Sequence, residues 1–464
     1  MTLTLVNPSA HSMPIAPVPD SPRLSLCLRQ MLIDYFQNAW ELENSLLQSL
    51  VGDDTFYLSP DPLRHRLIFY LGHSAAFFVD KLTQVGLLNQ SLNPAYETLF
   101  GVGVDPETPQ ELEQQVANIE FPPVADVWAY RAQVHEKVLE ILCKVPFPLP
   151  ISQTHPLWAV FMGIEHCRIH FETSSMLIRQ LPAELVQRPI GWIYASSTTA
   201  PTRANELKTI PGGAITWGKP KNSDTYGWDQ EYGEKTETVA TFRASQYLIT
   251  NREFLQFVQA GGYQNPDFWS DEAWDWKTEY NVQHPQFWIP HGESYLYRTV
   301  FEEIDPPLDY PVEVNYFEAI AYCRWHSEKT RLMTEAEWRL AVSQLEQTQS
   351  TSNTDPFNTK PYNLNLKFGS PNPVGLLETG NHSGLCDLRG NVWEWSSNDF
   401  AALSGFETHP LYLDQSAPFM DNRHKVLLGG SWATHGSWAG VSYRNWFRPY
   451  FHQHAGFRIA QDCS

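Results

Sequence analysis

The sequence predicts an α+β protein in which a four-helix bundle precedes a second domain of short strands, turns and short helices. With 464 residues the chain is too long for one compact core, so more than one domain is expected. Apolar residues recur at helical spacing from about residue 22 to residue 195. After about Arg203 such periods become rare, and glycine, tryptophan and short β-like runs dominate. The second domain is therefore expected over 205–464.

The N-terminal part of the chain contains the predicted bundle. Residues 1–21 are rich in proline and serine, and we expect this segment to be disordered. Four long helices are predicted in the segment that follows, over 26–50, 62–86, 125–144 and 156–181. The second of them is apolar nearly all round, which is typical of a helix buried on every side. Four such helices with connections of mixed length indicate a four-helix bundle.

The second domain has fewer helices, and they are short. Helical patterns occur at 251–259, 316–329 and 334–343, between runs such as VLLGGSWAT that favour strands. Residues 343–360 are polar and rich in turn formers, which predicts a surface loop.

Composition excludes several classes of function. The chain is acidic, with 52 Asp and Glu against 32 Lys and Arg and a net charge of −20. Nucleic acid is not expected as a partner, because phosphate binding needs a basic face and no Lys/Arg cluster is present. The N-terminus has no basic residue before Arg23 and no apolar segment of signal-peptide length. No apolar run approaches the roughly 18–20 residues that span a bilayer, so we expect a cytoplasmic protein without membrane contact.

Three histidines predict a metal site inside the bundle. His166 and His170 are four residues apart on a predicted helix, so both imidazoles lie on one face. His73 is in the middle of the most apolar helix, where an unpaired polar ring would cost a few kcal/mol, and a shared metal ion supplies a partner. Three imidazoles leave up to three open positions on an octahedral ion, which suits catalytic iron(II), or zinc with an open fourth position. The spacing alone does not separate the two metals.

Two neighbours of these histidines are not expected to be ligands. Glu172 lies about 200° around the helix from His170, so it points away from the ion. We predict that Glu172 hydrogen-bonds a neighbouring helix, with the far nitrogen of His73 as one possible partner, and so supports the site from outside the ligand set. Cys167 lies about 100° from the direction of His166 and is not expected to coordinate the metal.

Seven segments of the second half occur in a recognisable order, and together they cover residues 212–460. They are GGAITWG, SQYLITNREFLQFVQAGGY, PVEVNYFEAIAYCRW, RLMTEAEWRLA, GLCDLRGNVWEWSS, GGSWAT and HAGFRIA. These segments resemble the formylglycine-generating-enzyme-like (sulfatase-modifying-factor) fold, which is related to C-type lectins. The reactive cysteines of that family are missing near the end of the domain, so formylglycine formation is not expected.

The first half resembles a DinB-like bundle. Its His-x3-His-x-Glu element, at residues 166–172, resembles the signature of the iron-dependent sulfoxide synthases of thiohistidine biosynthesis, which join the same two domains in this order. One branch of that family makes the ergothioneine precursor from trimethylhistidine, and the other makes 5-histidylcysteine sulfoxide for ovothiol. Four segments resemble the ovothiol branch: DPLRHRLIFYLGHSAAFFVDKL, THPLWAVFMGIEHCRIHFETSSMLIRQLP, HPLYLDQSAPFMDNRH and FRPYFHQHAGFR.

The resemblance, which covers about residues 22–462, implies a reaction and its components. His73, His166 and His170 would hold Fe(II), O2 would be a co-substrate, and L-cysteine and L-histidine would be the small-molecule substrates. Ovothiol enzymes often carry a C-terminal methyltransferase domain, whereas this chain stops at Ser464. We therefore expect a separate lyase and a separate methyltransferase to act downstream.

The resemblance also implies a tyrosine near the iron that donates a proton or a hydrogen atom. In the ergothioneine branch this tyrosine follows a Trp-Glu-Trp segment, but here that stretch reads SSNDFAALSGF, without tyrosine. Tyr412, in the HPLY segment, is the first candidate to replace it, and Tyr443 is the second.

Several residues are predicted to contact substrate. Asn445 and Trp446 match a family element near the histidine substrate, and Tyr130 on the third helix is a further candidate. An amino-acid carboxylate needs a cationic partner, typically a bidentate arginine. Arg64, Arg66 and Arg444 are the candidates for this partner, with Arg66 and Arg444 preferred as substrate-binding residues.

Three alternatives stay open. The substrates could be trimethylhistidine with cysteine or γ-glutamylcysteine, as in the ergothioneine branch. A zinc-dependent thiol transferase is also compatible, because DinB-like bundles use three histidines for zinc as well. A non-enzymatic lectin-like binding module would need no metal, and it does not account for three histidines in apolar helices.

Overall fold

The computed structural model describes residues 17–101, 103, 106, 108–116, 119–197, 204–349, 362–377 and 384–463, without the side chains of 345–349. Most of the N-terminal segment predicted to be disordered, and most of the predicted loop at 343–360, lie outside these residues. Residues 17–21 are described, and for them the prediction was wrong: the Pro17 carbonyl accepts a hydrogen bond from Asn38 Nδ2 at 3.1 Å, and Val18 packs against the apolar core.

The described part of the N-terminal half contains six α-helices. They are α1 (Arg29–Leu47), α2 (Leu67–Gln84), α3 (Pro94–Gly101), α4 (Pro109–Val116), α5 (Val124–Lys144) and α6 (Leu157–Ile178). The four long helices confirm the predicted bundle. The two short ones, α3 and α4, were not predicted, because eight residues with a single buried side chain each carry too little periodicity to be recognised.

Helices α2 and α6 form the centre of the bundle. Nearly every residue of both is buried, as their apolar sequences require, and α2 packs against α3, α5 and α6. Gly163 on α6 permits this close approach, since a Cβ atom there would lie 2.3 Å from the ring of Phe78 on α2. In the described part of the chain, no helix combines the length and the hydropathy needed to cross a membrane.

The C-terminal half is built from small sheets. The strands are β1 (Leu207–Ile210), β2 (Gly213–Trp217), β3 (Lys235–Val239), β4 (Phe242–Ser245), β5 (Trp288–His291), β6 (Ser294–Arg298), β7 (Glu303–Ile304), β8 (Arg331–Leu332), β9 (Trp393–Asp399), β10 (Lys425–Leu428), β11 (Asn445–Phe447), β12 (Ala455–Gly456) and β13 (Ile459–Asp462). They form two four-stranded sheets, with orders β1-β4-β13-β8 and β11-β10-β9-β12, a β2-β3 ribbon and a β5-β6-β7 meander. All pairs are antiparallel except β9 with β12.

Among the residues that the structure describes in this half, four α-helices connect the strands: α7 (Asn251–Gln259), α8 (Asp271–Glu279), α9 (Tyr316–His326) and α10 (Glu335–Gln349). Capping boxes at Thr250 and Asn315 start α7 and α9. Helix α10 continues into the segment predicted to be a loop. Helix α8 was missed, because only two of its residues are buried and the apolar period is weak.

One face of α6 joins the two halves. Glu165, Glu172 and Arg179 are seven residues apart, so they form a stripe that drifts only about 20° around the helix per step. Glu165 accepts a hydrogen bond from the backbone N–H of Ser437 at 2.9 Å, and Arg179 pairs with Glu313 at 2.7 Å. All of these side chains are buried. These contacts fix how the C-terminal half sits on α6. They lie on the side of the helix away from His166 and His170.

Candidate metal centre

The structure brings His73, His166 and His170 together, as the sequence predicted. One ring nitrogen from each of the three lies within 4.8 Å of the others. The ring centroids of His166 and His170 are 4.3 Å apart, and His73 from α2 lies 4.9 and 4.5 Å from them. The i,i+4 pair on α6 therefore faces the α2 histidine across the interface between these two helices.

The imidazoles have unpaired nitrogens that a metal ion can use. Both ring nitrogens of His166 and Nδ1 of His170 are buried without a hydrogen-bond partner among the described residues. His73 Nδ1 lies 2.6 Å from the carbonyl oxygen of Phe100, so it donates to that oxygen and leaves Nε2 as a free lone pair. Unpaired buried nitrogens cost free energy unless a ligand binds them.

Burial also keeps these rings in the protonation state that a metal requires. Burial lowers the pKa of His73 to about 4 and lowers the pKa values of His166 and His170 well below 6.5. Each imidazole is therefore neutral near pH 7 and has a lone pair to donate. Three neutral nitrogen ligands fit iron(II) or zinc with open positions, which matches the expectation from the sequence.

Aromatic side chains hold the ligand rings in place. Phe77 on α2 stacks on His166 at a centroid distance of 3.6 Å with an interplanar angle of 4°. Phe69 stacks on His73 at 4.8 Å. A ring confined between packed side chains loses little freedom when it binds an ion, so these contacts pre-organise the site.

Glu172 has a different role from the one predicted. Its carboxylate accepts hydrogen bonds from Trp393 Nε1, Ser431 Oγ and Thr434 Oγ1, each at 2.7 Å, all from the C-terminal half. The expectation that it supports His73 was wrong, because Glu172 points to the opposite side of α6. The partner of His73 is the Phe100 carbonyl at the end of α3, an element that the sequence did not reveal.

Of the two candidate tyrosines, Tyr412 lies at the site. Its half-buried ring is 6.4 Å from His166 and 5.2 Å from Phe77, in edge-on contacts. Tyr443 is instead packed between Trp393 and Trp438 in the core of the second half. Burial raises the pKa of both phenols, so each hydroxyl keeps its proton at neutral pH.

Asn445 and Trp446 point in opposite directions, because neighbouring residues of a strand face opposite sides. Trp446 stacks on Phe400 at 4.6 Å within the second half, and its contact with substrate stays a prediction. Asn445 shares its face of β11 with Phe447, whose ring lies 5.9 Å from the guanidinium of Arg64. Asn445 therefore stays a candidate for the substrate cleft.

The two preferred arginines do not border the histidines. Arg444 binds Glu335 with Nε and Nη2, at 2.9 and 3.0 Å, and donates from Nη1 to the Ala401 carbonyl. Its predicted role as a carboxylate ligand was therefore wrong. Arg66 is exposed at the residue before α2, where its side chain meets solvent.

Tyr130 lies on α5 and packs edge-on against Tyr96 at 5.4 Å. Its hydroxyl is buried without a hydrogen-bond partner among the described residues, and burial raises its pKa. No described ring contact joins it to the three histidines, so its role in substrate binding stays a prediction. The sequence analysis did not identify Lys81, a buried lysine eight residues after His73. Its position in an apolar helix was a signal in the sequence that could have identified it.

Comparisons with known proteins find a family model that matches the C-terminal half and relatives that match nearly the whole chain. Residues 194–463 match the model of the sulfatase-modifying factor enzyme 1-like domain. The chain is 29% identical to the hercynine oxygenase of Mycolicibacterium smegmatis, over 94% of this chain and 99% of that protein. It is 30% identical to the hercynine oxygenase of Mycolicibacterium thermoresistibile, over 87% of this chain and 88% of that protein. It is 26% identical to ergothioneine biosynthesis protein 1 of Neurospora crassa, over 93% of this chain and 57% of that protein.

Proposed function

Because the chain belongs to the hercynine oxygenase family of oxygen-dependent sulfoxide synthases, we propose that it is a nonhaem iron(II) enzyme that joins L-cysteine to L-histidine. The sulfur of cysteine bonds to an imidazole carbon and is oxidised to a sulfoxide. One O2 is consumed: the thiol S–H and imidazole C–H bonds break, C–S and S–O bonds form, and the second oxygen atom leaves as water. The observation that carries the proposal is the cluster of three neutral imidazoles, two buried and that of His170 half-buried, with unpaired nitrogens beside a tyrosine.

The side chains of the site have distinct proposed roles in holding the ion and orienting its ligands. Iron(II), when bound, would accept the thiol as a thiolate and supply electrons to O2. His73, His166 and His170 would hold the ion, and Phe77 and Phe69 keep two of these rings in orientation. Three neutral ligands add no negative charge, which favours an anionic sulfur.

Tyr412 is the proposed proton donor. Its ring lies against His166 and Phe77, and its phenol, whose pKa of ordinarily about 10 is raised further by burial, is protonated at neutral pH. A positioned acid of this kind contributes roughly 10²–10⁴-fold to a rate. In Tyr412→Phe we expect turnover to fall by about that factor with the metal content unchanged, whereas a larger loss in Tyr443→Phe would reassign the role.

Two imidazole substrates are compatible with the family. Trimethylhistidine is favoured by the names of the relatives, which are hercynine oxygenases. L-Histidine is favoured by the tyrosine, because residues 396–406 contain none and Tyr412 comes from a later loop that resembles the ovothiol branch. We propose L-histidine as the preferred substrate, with trimethylhistidine as the second candidate.

The test is oxygen consumption by the iron(II)-loaded protein with mass spectrometry of the product. Each imidazole substrate is paired with cysteine and with γ-glutamylcysteine, and the protein reconstituted with zinc is the matched control. We expect the highest kcat/KM with L-histidine and cysteine, and a product that contains both amino acids plus one oxygen atom. A preference for trimethylhistidine would select the second candidate. Activity with zinc but not with iron would refute the oxygenase chemistry.

A further inference from the structure

Two cationic side chains flank the three histidines from opposite ends of α2. Lys81 lies eight residues after His73 on this helix, and Arg64 lies nine residues before it, just ahead of the helix. At about 1.5 Å of rise per residue, the two backbone positions are separated by roughly 20 Å or more, with the histidines between them. Neither side chain has a role in the reaction described under the proposed function.

Lys81 is a buried lysine at the His166 side of the cluster. It is only 6% exposed, and its ammonium lies 4.7 Å from the ring of Tyr412 and 5.0 Å from the ring of Phe77, which stacks on His166. Its ion-pair partner is Asp80 at 2.9 Å, an exposed residue whose attraction water screens. A buried ammonium with one weak partner is costly, and an anionic ligand in the cleft would lower that cost.

Arg64 lies at the His170 side. Its half-buried guanidinium is held over the rings of Phe451 and Phe447, at 4.2 and 5.9 Å. Tyr70, close to the start of α2, has its ring 6.1 Å from that of His170, so the end of the helix that follows Arg64 faces this histidine. The buried carboxylate of Asp61 interacts with the charge of Arg64. Among the described residues no acceptor hydrogen-bonds the Arg64 side chain, so the N–H donors of the planar guanidinium are available to a ligand.

We propose that Lys81 and Arg64 bind the α-carboxylates of the two amino-acid substrates, one carboxylate at each cation. This inference rests on the proposed function, because that reaction brings two amino acids to one metal centre. Each substrate has its carboxylate a few bonds from its reacting atom, so a cation on each side of the histidines can orient both molecules. Ion pairs of this kind also exclude substrates that lack a carboxylate.

The other arginines considered for this role do not fit. Arg444 has donors from all three guanidinium nitrogens bound to protein oxygens, and Arg66 is exposed to solvent. Lys81 and Arg64 combine proximity to the histidines with unused donor capacity.

The test is calorimetric binding without oxygen, so it does not depend on turnover. The iron(II)-loaded full chain is titrated under argon with L-cysteine and L-histidine, and with cysteamine and histamine, which lack the carboxylate. In Lys81→Met we expect one amino acid to bind about 10- to 100-fold more weakly, the factor expected for one lost charged hydrogen bond. In Arg64→Gln we expect the same loss for the other amino acid. Neither substitution should change the affinity of the amine that corresponds to the affected amino acid.

Neighbouring variants separate ligand binding from a structural role. Asp80→Asn removes the partner of Lys81, so we expect amino-acid binding to be unchanged or tighter, whereas a structural ion pair would make this variant resemble Lys81→Met. Arg66→Gln should leave all four affinities unchanged. The inference is overturned if either cationic variant weakens an amine and its amino acid equally, if both affect the same amino acid, or if neither changes any affinity. Carboxylate-dependent binding without oxygen uptake would overturn the proposed function alone.

Discussion

Helix α6 has two buried polar faces that differ in how their polar atoms are satisfied. On one face, both ring nitrogens of His166 and Nδ1 of His170 have no partner among the described residues. On the other face, all carboxylate oxygens of Glu165 and Glu172 accept hydrogen bonds. Since buried polar groups are normally paired, the first face indicates a ligand and the second indicates a structural joint between the two halves. Burial alone does not distinguish a functional polar residue from a structural one.

Substitution of a histidine should have the largest effect, and it should be an effect on metal and activity. His166→Ala removes a ligand but breaks no hydrogen bond to protein. We expect the metal content to fall and oxygen uptake to decrease by more than about 100-fold, since even the outer partners of ligands are worth 10- to 100-fold. Metal analysis after anaerobic purification measures the first quantity. A variant that retains the metal would contradict the assignment of this face.

Substitution of Glu172 should instead affect stability. Glu172→Ala leaves the donors of Trp393, Ser431 and Thr434 without their acceptor, at a cost of about 3 kcal/mol or more in free energy of unfolding. Urea unfolding of the metal-free protein measures this loss, and Glu41→Ala on the exposed side of α1 is the control. We expect Glu172→Ala to be less stable than His166→Ala in the absence of metal. Equal stabilities would contradict the assignment of one face of α6 as a structural joint and the other as a ligand site.

The histidine cluster and the joint between the two halves should respond to pH with opposite signs. Burial lowers the pKa of His73 from 6.5 to about 4, so the unfolded chain binds a proton first, and stability is lost as pH falls from 6.5 towards 4. Once the pH is below 4, the free energy of unfolding is lower by about 3 kcal/mol because of this one pKa shift. Burial raises the pKa of Glu172 above 4.5, so its contribution is present below that pH and is lost as pH rises.

Urea midpoints of the metal-free protein across this pH range test the signs. His73→Gln should weaken the loss of stability in acid, and Glu172→Gln should weaken the loss at higher pH. An acid slope that is the same in His73→Gln and in the unsubstituted protein would show that this imidazole is not the group that titrates.

A smaller effect should come from the support of His73. A Cβ atom at Gly72 would lie 2.4 Å from the ring of Phe100, whose carbonyl oxygen accepts the proton of His73 Nδ1. Gly72→Ala should cost about 1–3 kcal/mol in free energy of unfolding and weaken metal binding. Gly101→Ala is the control, because a Cβ atom there meets no other atom within 4 Å. Equal metal affinities in the two variants would show that the hydrogen bond from His73 to the Phe100 carbonyl does not affect metal binding.

Much of the fold and part of the site followed from local patterns. The four long helices were predictable because each carries several turns of apolar residues, and the i,i+4 spacing of His166 and His170 defines their common face. His73 was predictable because an imidazole in an apolar helix needs a partner. The seven-residue spacing of Glu165, Glu172 and Arg179 was also present in the sequence, although the face that it marks was not recognised.

The sequence by itself determined the bundle, the class of the second half, the three histidines and the candidate Tyr412. Only the tertiary structure decided what Glu172, Trp446 and Arg444 contact, because each has its partner more than 40 residues away in another element. A helix or strand pattern defines the side of its own element that a residue occupies. It does not define which element covers that side, since that depends on packing the whole chain into one core.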